Sequence, residues 1–193
     1  MQNTRHALIT ATCLVALVAC GGRDSEYDDT SSLRIDTAGG VTDMREYTEA
    51  ELLGLIGLAN DGTIELAKLA QQKATTPEVK TLAGKAIQGH TELDRQGKDV
   101  AAKLSLTPTV PTADESLAED QRRWMEELNS MPAGKDWDKK YLEYEIARHE
   151  TVLDEVNDAL SREQVPEVRM FLDAMKTHIE GHIPAYKETK DKL

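Results

Sequence analysis

The chain has 193 residues, 39% of them hydrophobic, 30% charged and only 4% aromatic, with a formal net charge of −12. These values suit one helical domain with extensions, and the acidic balance excludes nucleic acid as a partner because a phosphate backbone would be repelled. Both cysteines, Cys13 and Cys20, precede Gly21, so neither can staple the remainder of the chain and a disulfide scaffold is excluded.

Arg5 is followed by an uncharged apolar run, Ala7 to Ala19. Such a run is too short to span a bilayer and has the length of a signal-peptide core, so residues 1–19 are expected to be a signal peptide. It ends in Leu17-Val18-Ala19-Cys20-Gly21, which resembles a bacterial lipobox, where small residues precede a cysteine that is lipidated and becomes the new N-terminus. Cys20 is thus the expected lipidation site, and the membrane the expected partner through that lipid. In a Gram-negative cell, a residue other than Asp at position 21 implies the periplasmic face of the outer membrane. The rest of 20–46 is rich in Gly, Asp, Ser and Thr without an apolar period. It reads as a flexible tether, holding the domain at ~30 Å from the membrane on average.

The domain, 47–193, reads as helical throughout. Thr48-Glu49-Ala50-Glu51 is a capping box that predicts a first helix to about Lys73. That helix is apolar round much of its circumference, and Asn60-Asp61-Gly62 is a candidate weak point. Pro77 predicts the start of a second helix to about Leu104, with the stripe Val79, Leu82, Ala86, His90, Leu93, Gly97, Val100 and Leu104. A proline-containing loop follows, then a short third helix over about Glu115 to Met131, broken by Pro132-Ala133-Gly134. The fourth helix reads from Lys139 to about Arg162. Leu142, Ile146, His149, Leu153, Val156 and Leu160 share one face at steps of three and four. Pro166 opens the fifth, with Val168, Phe171, Leu172, Met175, Ile179, His182 and Tyr186 on its stripe. Pro184 predicts either an end near Gly181 or a kink, and the final KETKDKL a fraying tail. Four long helices of up to ~40 Å and one short one predict an all-α, ferritin-like four-helix bundle with an extra short helix.

Chemistry is expected where ionisable groups interrupt apolar stripes. His90, His149 and His182 do so on three helices, and Glu65 lies in the apolar environment of the first. Glu145 with His149, His178 with His182, and His90 with Asp94 are each four apart and share a face. Bundles hold metals in their cores with side chains from facing helices, so Glu65, His90, Glu145, His149, His178 and His182 are the candidate metal residues. Their imidazoles suit zinc, copper or iron. The spacing disfavours a di-iron oxidase, since Glu-x-x-His is absent: Ile87, Ile146, Met175 and Ile179 stand three residues before the histidines. The competing reading is of hydrogen-bonded core histidines with no ion. No Gly-rich phosphate loop, no GxSxG and no cysteine nucleophile in the domain point to catalysis.

The chain resembles the bacterial outer-membrane-protein family known as domain of unknown function 4142. The resemblance covers about Tyr47 to the C-terminus and rests on Glu65-Leu66-Ala67-Lys68-Leu69-Ala70, Pro77-Glu78-Val79-Lys80-Thr81-Leu82-Ala83, His90, Trp137-Asp138-Lys139-Lys140-Tyr141, His149 and His182. Gly89 stands where that family typically carries Asp, and Trp137 where it carries Phe. The resemblance implies an exported ferritin-like bundle and supplies neither substrate nor catalytic residues. The function expected is that of a lipid-anchored cell-envelope protein with a binding or structural, non-enzymatic role. The alternative is a metal-binding or redox protein with a His/Glu site in the bundle core, and a third reading is pH sensing by buried histidines. No protein partner is marked by the sequence.

Overall fold

Helix α1, Glu49–Lys73, begins at the predicted capping box: Thr48 Oγ1 accepts from the Glu51 N–H at 3.3 Å, and the Glu51 carboxylate accepts from the Thr48 N–H at 3.0 Å. The structure is a computed structural model that describes residues 34–35, 41–42, 47–111 and 115–193. The expected signal peptide, Cys20 and most of the expected tether lie outside the described residues. Within the tether stretch, two-residue strands β1, Arg34–Ile35, and β2, Val41–Thr42, pair antiparallel. The sequence reading gave this stretch no regular structure. Ile35, Val41 and Thr42 are β-branched, which favours extended backbone.

The helices all belong to one compact unit, Glu46–Leu193. Helix α1 is not interrupted at Asn60-Asp61-Gly62. A Cβ at Gly62 would lie 2.4 Å from both the Arg148 guanidinium and the Gln121 amide oxygen, so its bareness lets neighbouring helices approach. Helix α2, Pro77–Lys103, starts on its proline. Helix α3, Glu115–Ser130, ends on Lys73, whose ammonium donates to the Leu128, Asn129 and Met131 carbonyls at 2.7, 2.8 and 2.7 Å. Those carbonyls include ones a helix end leaves without intrahelical partners.

Two boundaries differ from expectation. Helix α4, Lys135–Leu160, starts a turn before Lys139 and takes in Trp137 and Asp138, with Asp136 and Asp138 placed well for the helix dipole. Helix α5, Pro166–Asp191, neither stops at Gly181 nor frays at KETKD. Pro184 and Glu180, whose carbonyl loses its donor, are both exposed, so water can serve that carbonyl while the buried Tyr186 keeps the next turn docked.

Helix α1 packs along α2 and α4, and α5 packs along the same two, closing a ring of four; α3 leans on α1 and α4 from outside. The links 74–76 and 161–165 are short, which makes α1/α2 and α4/α5 antiparallel neighbours, while the crossover 104–134 is long. This is the one-crossover connectivity of ferritin-like bundles.

The core is two apolar halves. One holds Leu52, Leu53, Ile56, Leu93, Val152, Val156, Phe171, Leu172, Met175 and Ile179. The other holds Leu66, Leu69, Val79, Ala83, Ala86, Trp137, Tyr141, Leu142, Ile146 and Tyr186. All four long helices change from one half to the other at one level. There the buried residues are polar: Asn60 and Thr63 on α1, His90 on α2, and Glu145, Arg148 and His149 on α4. Helix α5 contributes the half-buried His178 and His182.

Candidate metal centre

A buried polar layer is costly unless its groups are satisfied, so the hydrogen bonds of the histidines determine what the layer can do. His149 is 1% exposed. Its Nδ1–H donates to the Glu145 main-chain carbonyl, one turn earlier, at 2.7 Å. A carbonyl only accepts, so the proton is fixed on Nδ1 and Nε2 keeps its lone pair. His90, 2% exposed, is held similarly from another helix: its Nδ1–H donates to Asn60 Oδ1 at 2.9 Å. The two Nε2 atoms then face one another at 3.2 Å, and His182 Nδ1 lies 3.3 Å from His149 Nε2. Each of the three rings offers one nitrogen within 4.8 Å of those offered by the other two.

The 3.2 and 3.3 Å separations on either side of His149 Nε2 fit a shared ion. With N–metal bonds of ~2.0 Å, the edge of a tetrahedral site is ~3.3 Å. Without an ion the arrangement is poorly satisfied. His149 Nε2 has one lone pair, so at most one of its two neighbours can donate to it, and a further nitrogen is left without a partner.

Burial, followed by the charge of His182, pushes His149 down to about 3. Burial, followed by His178 and Lys85, pushes His182 down to about 4. His90 is driven well below the usual imidazole value, by burial and then by His149. At neutral pH the three rings are therefore uncharged, the form that binds metal.

The other residues singled out in the sequence take different places. His178 sits at the outer edge, its ring centroid 4.1 Å from that of His182 and 5.0 Å from that of His90. Glu145 does not enter the ring of nitrogens. Its carboxyl group is 3.5 Å from His149 Nδ1, on the ring's far side, so it is not placed as a ligand. Burial raises it to about 8, against the opposing charge of Arg148. Glu65 is outside the core altogether: it is exposed and accepts from Gln121 at 2.7 Å. Helix α1 is apolar on several sides, and Glu65 falls on its remaining polar one. Asp94 pairs with Lys98 at 2.6 Å rather than with His90.

Sequence reasoning missed Asn60, Thr63 and Arg148 as members of the layer. Asn60 sits four residues beyond Ile56 on the buried face, a spacing that could have revealed it. Arg148 is 1% exposed, its guanidinium over the Trp124 ring at 5.2 Å with no hydrogen bond from any of its nitrogens. Tyr186 packs edge-on to His149 at 5.2 Å and near His182 at 5.7 Å. Burial pushes the hydroxyls of Tyr186 and Tyr141 well above the usual phenol range, and the charge of Glu145 adds to this.

Among solved structures, a DUF305 fragment from Deinococcus radiodurans is similar at a TM-score of 0.67 and 16% identity, over 75% of this chain and 96% of that one. A candidate secreted DUF305 protein from Streptomyces coelicolor is similar at 0.63 and 14%, over 73% and 90%. CopM in its Cu(II)-bound form is similar at 0.63 and 15%, over 77% and 99%. At these identities the likeness is one of fold. No curated protein matches the chain. The sequence profile of the domain of unknown function DUF4142 matches residues 37–188, which include α1, α2, α4, most of α5 and the whole histidine layer. The chain belongs to the DUF4142 family.

Proposed function

We propose that this protein binds one transition-metal ion through His90 Nε2, His149 Nε2 and His182 Nδ1, that copper is the ion it takes, and that it does so in the cell envelope, anchored by a lipid on Cys20. The observation that carries the reading is the convergence of three neutral imidazole nitrogens in a desolvated layer, two of them with their outer Nδ1–H committed to oxygen acceptors. Such outer hydrogen bonds fix the tautomer and orientation of metal-binding histidines. An all-imidazole donor set suits copper and zinc; it lacks the carboxylates that magnesium, calcium and facial-triad iron require. The order of affinities for divalent ions places copper above zinc, and CopM, a protein of similar fold, binds Cu(II). The lipobox and the likeness to a candidate secreted protein support an extracytoplasmic place; among the described residues no helix is long and apolar enough to cross a membrane. With one ion held by buried side chains, the role is binding or storage rather than turnover.

Equilibrium dialysis of the purified protein against Cu(II), followed by elemental analysis, tests this. One equivalent is expected, and His90→Ala combined with His149→Ala should abolish it while circular dichroism stays helical. Absence of stoichiometric copper in the unaltered protein, or its persistence in the double variant, overturns the reading.

A further inference from the structure

Two of the three inner nitrogens belong to buried rings. His90 and His149 are 2% and 1% exposed, so an ion needs a route. One side of the layer is open: a surface cleft between α2 and α5, lined by Leu82, Lys85, His178, His182 and Tyr186 among others, reaches His182 from outside. His178 stands in that cleft one turn before His182 on the same helix, and its ring lies closer to His182 than any inner ring does.

The fold makes specific room for His178. Its imidazole lies directly on Gly89, the residue before His90. A Cβ at position 89 would be 2.1 Å from His178 Cε1 and 2.6 Å from Nε2. Real Cβ atoms essentially never approach so near, so any residue other than glycine would push the ring away. His178 Nε2 is shielded from solvent yet has no hydrogen-bond partner. An orphaned nitrogen at this position is unusual, and the half-buried ring that carries it lines the cleft with its donors uncommitted to protein partners. Lys85, the cation among these lining residues, lies beside His182, so attraction of an ion depends on the imidazoles and not on surface charge.

We propose that His178 is the exchange ligand of this centre: it takes the copper ion from small chelators in the cleft and passes it to His182 and so to His90 and His149, with Gly89 holding the gap in which its ring sits. The step is ligand substitution. One bond from copper to an incoming imidazole nitrogen forms as one to the departing donor breaks, with no change of oxidation state. The inference rests on the copper-binding reading above.

Loading of the purified protein with Cu(II)-glycinate, and withdrawal of the bound ion by EDTA, measure the route directly. His178→Ala should retain one equivalent of copper with an unchanged visible spectrum, but load and release at least tenfold more slowly. Gly89→Ala should behave the same way, because the added methyl displaces His178. Rates within twofold of the unaltered protein in His178→Ala overturn the exchange role, as does loss of the bound ion, which would make His178 a permanent ligand. His178→Ala alone decides if Gly89→Ala fails to fold. An unaltered protein that takes no stoichiometric copper fails the underlying reading instead, and is told apart at the first step.

Discussion

At the scale of single residues, opposite shifts meet across one helical turn. The folded state holds His149 and His182 uncharged, at about 3 and about 4, whereas unfolding returns them to 6.5. Their stabilising contribution is therefore complete above pH 6.5 and is lost as pH falls through the folded values. Glu145 runs the other way. Raised from 4.5 to about 8, it is protonated in the fold, and its contribution is present below pH 4.5 and lost as pH rises through 8. The metal-free protein is thus expected to be most stable near pH 6.5, with its urea midpoint falling on both sides and more steeply toward acid, where several imidazoles act together. Glu145→Gln, which keeps the neutral shape, should flatten the alkaline limb and leave the acid limb in place. A midpoint that is constant from pH 6.5 to 8.5 in the unaltered protein would contradict the assignment of a neutral Glu145.

At the scale of elements, the sequence was most legible where periodicity is strong. The stripes of α2 and α5 placed His90 and His182 on the bundle face, and the capping box placed the start of α1. Glu65 could not be placed, because an apolar run round most of a helix does not say which side is covered. Asp138 shows another limit. It appears in the sequence as part of a motif, but its role depends on a partner 62 and 63 residues away. It is fully buried and accepts from the Thr75 and Thr76 main-chain N–H groups at 2.9 and 2.8 Å and from their hydroxyls at 2.8 and 2.6 Å, tying the α1–α2 turn to the first turn of α4. Beside it Trp137 Nε1–H donates to the Leu128 carbonyl at 2.8 Å, fixing α3 as well. Asp138→Ala leaves several donors unpaired, and should cost about 3 kcal/mol or more by urea denaturation. A loss under 1 kcal/mol would show that the turn is held by other means. Copper stoichiometry should be unaffected, since Asp138 is engaged at the α1–α2 turn and not in the polar layer that holds His90.

At the scale of the whole molecule, the feature hidden in the sequence is depth. Each stripe reveals a histidine, but the height at which it lies in the bundle follows from how four helices register against one another. Only in the fold do Asn60, His90, His149 and His182 fall at one level between two apolar halves. A ligand bound only by the folded state raises stability in proportion to its excess over Kd, ~2.7 kcal/mol at a hundredfold excess. Copper should therefore raise Tm in the unaltered protein and leave it unchanged in the double variant of His90 and His149. The anchor is separable from the site: Cys20→Ser should release the protein from membranes without altering copper binding, and a variant that still fractionates with lipid would remove the lipidation proposal.

X-ray absorption at the copper edge of the loaded protein tests the central claim most directly. Three imidazole nitrogens at ~2.0 Å, with the shell losing one imidazole in His149→Ala, are predicted. A shell of oxygen ligands alone, or one unchanged by that substitution, would show that the ion is held elsewhere.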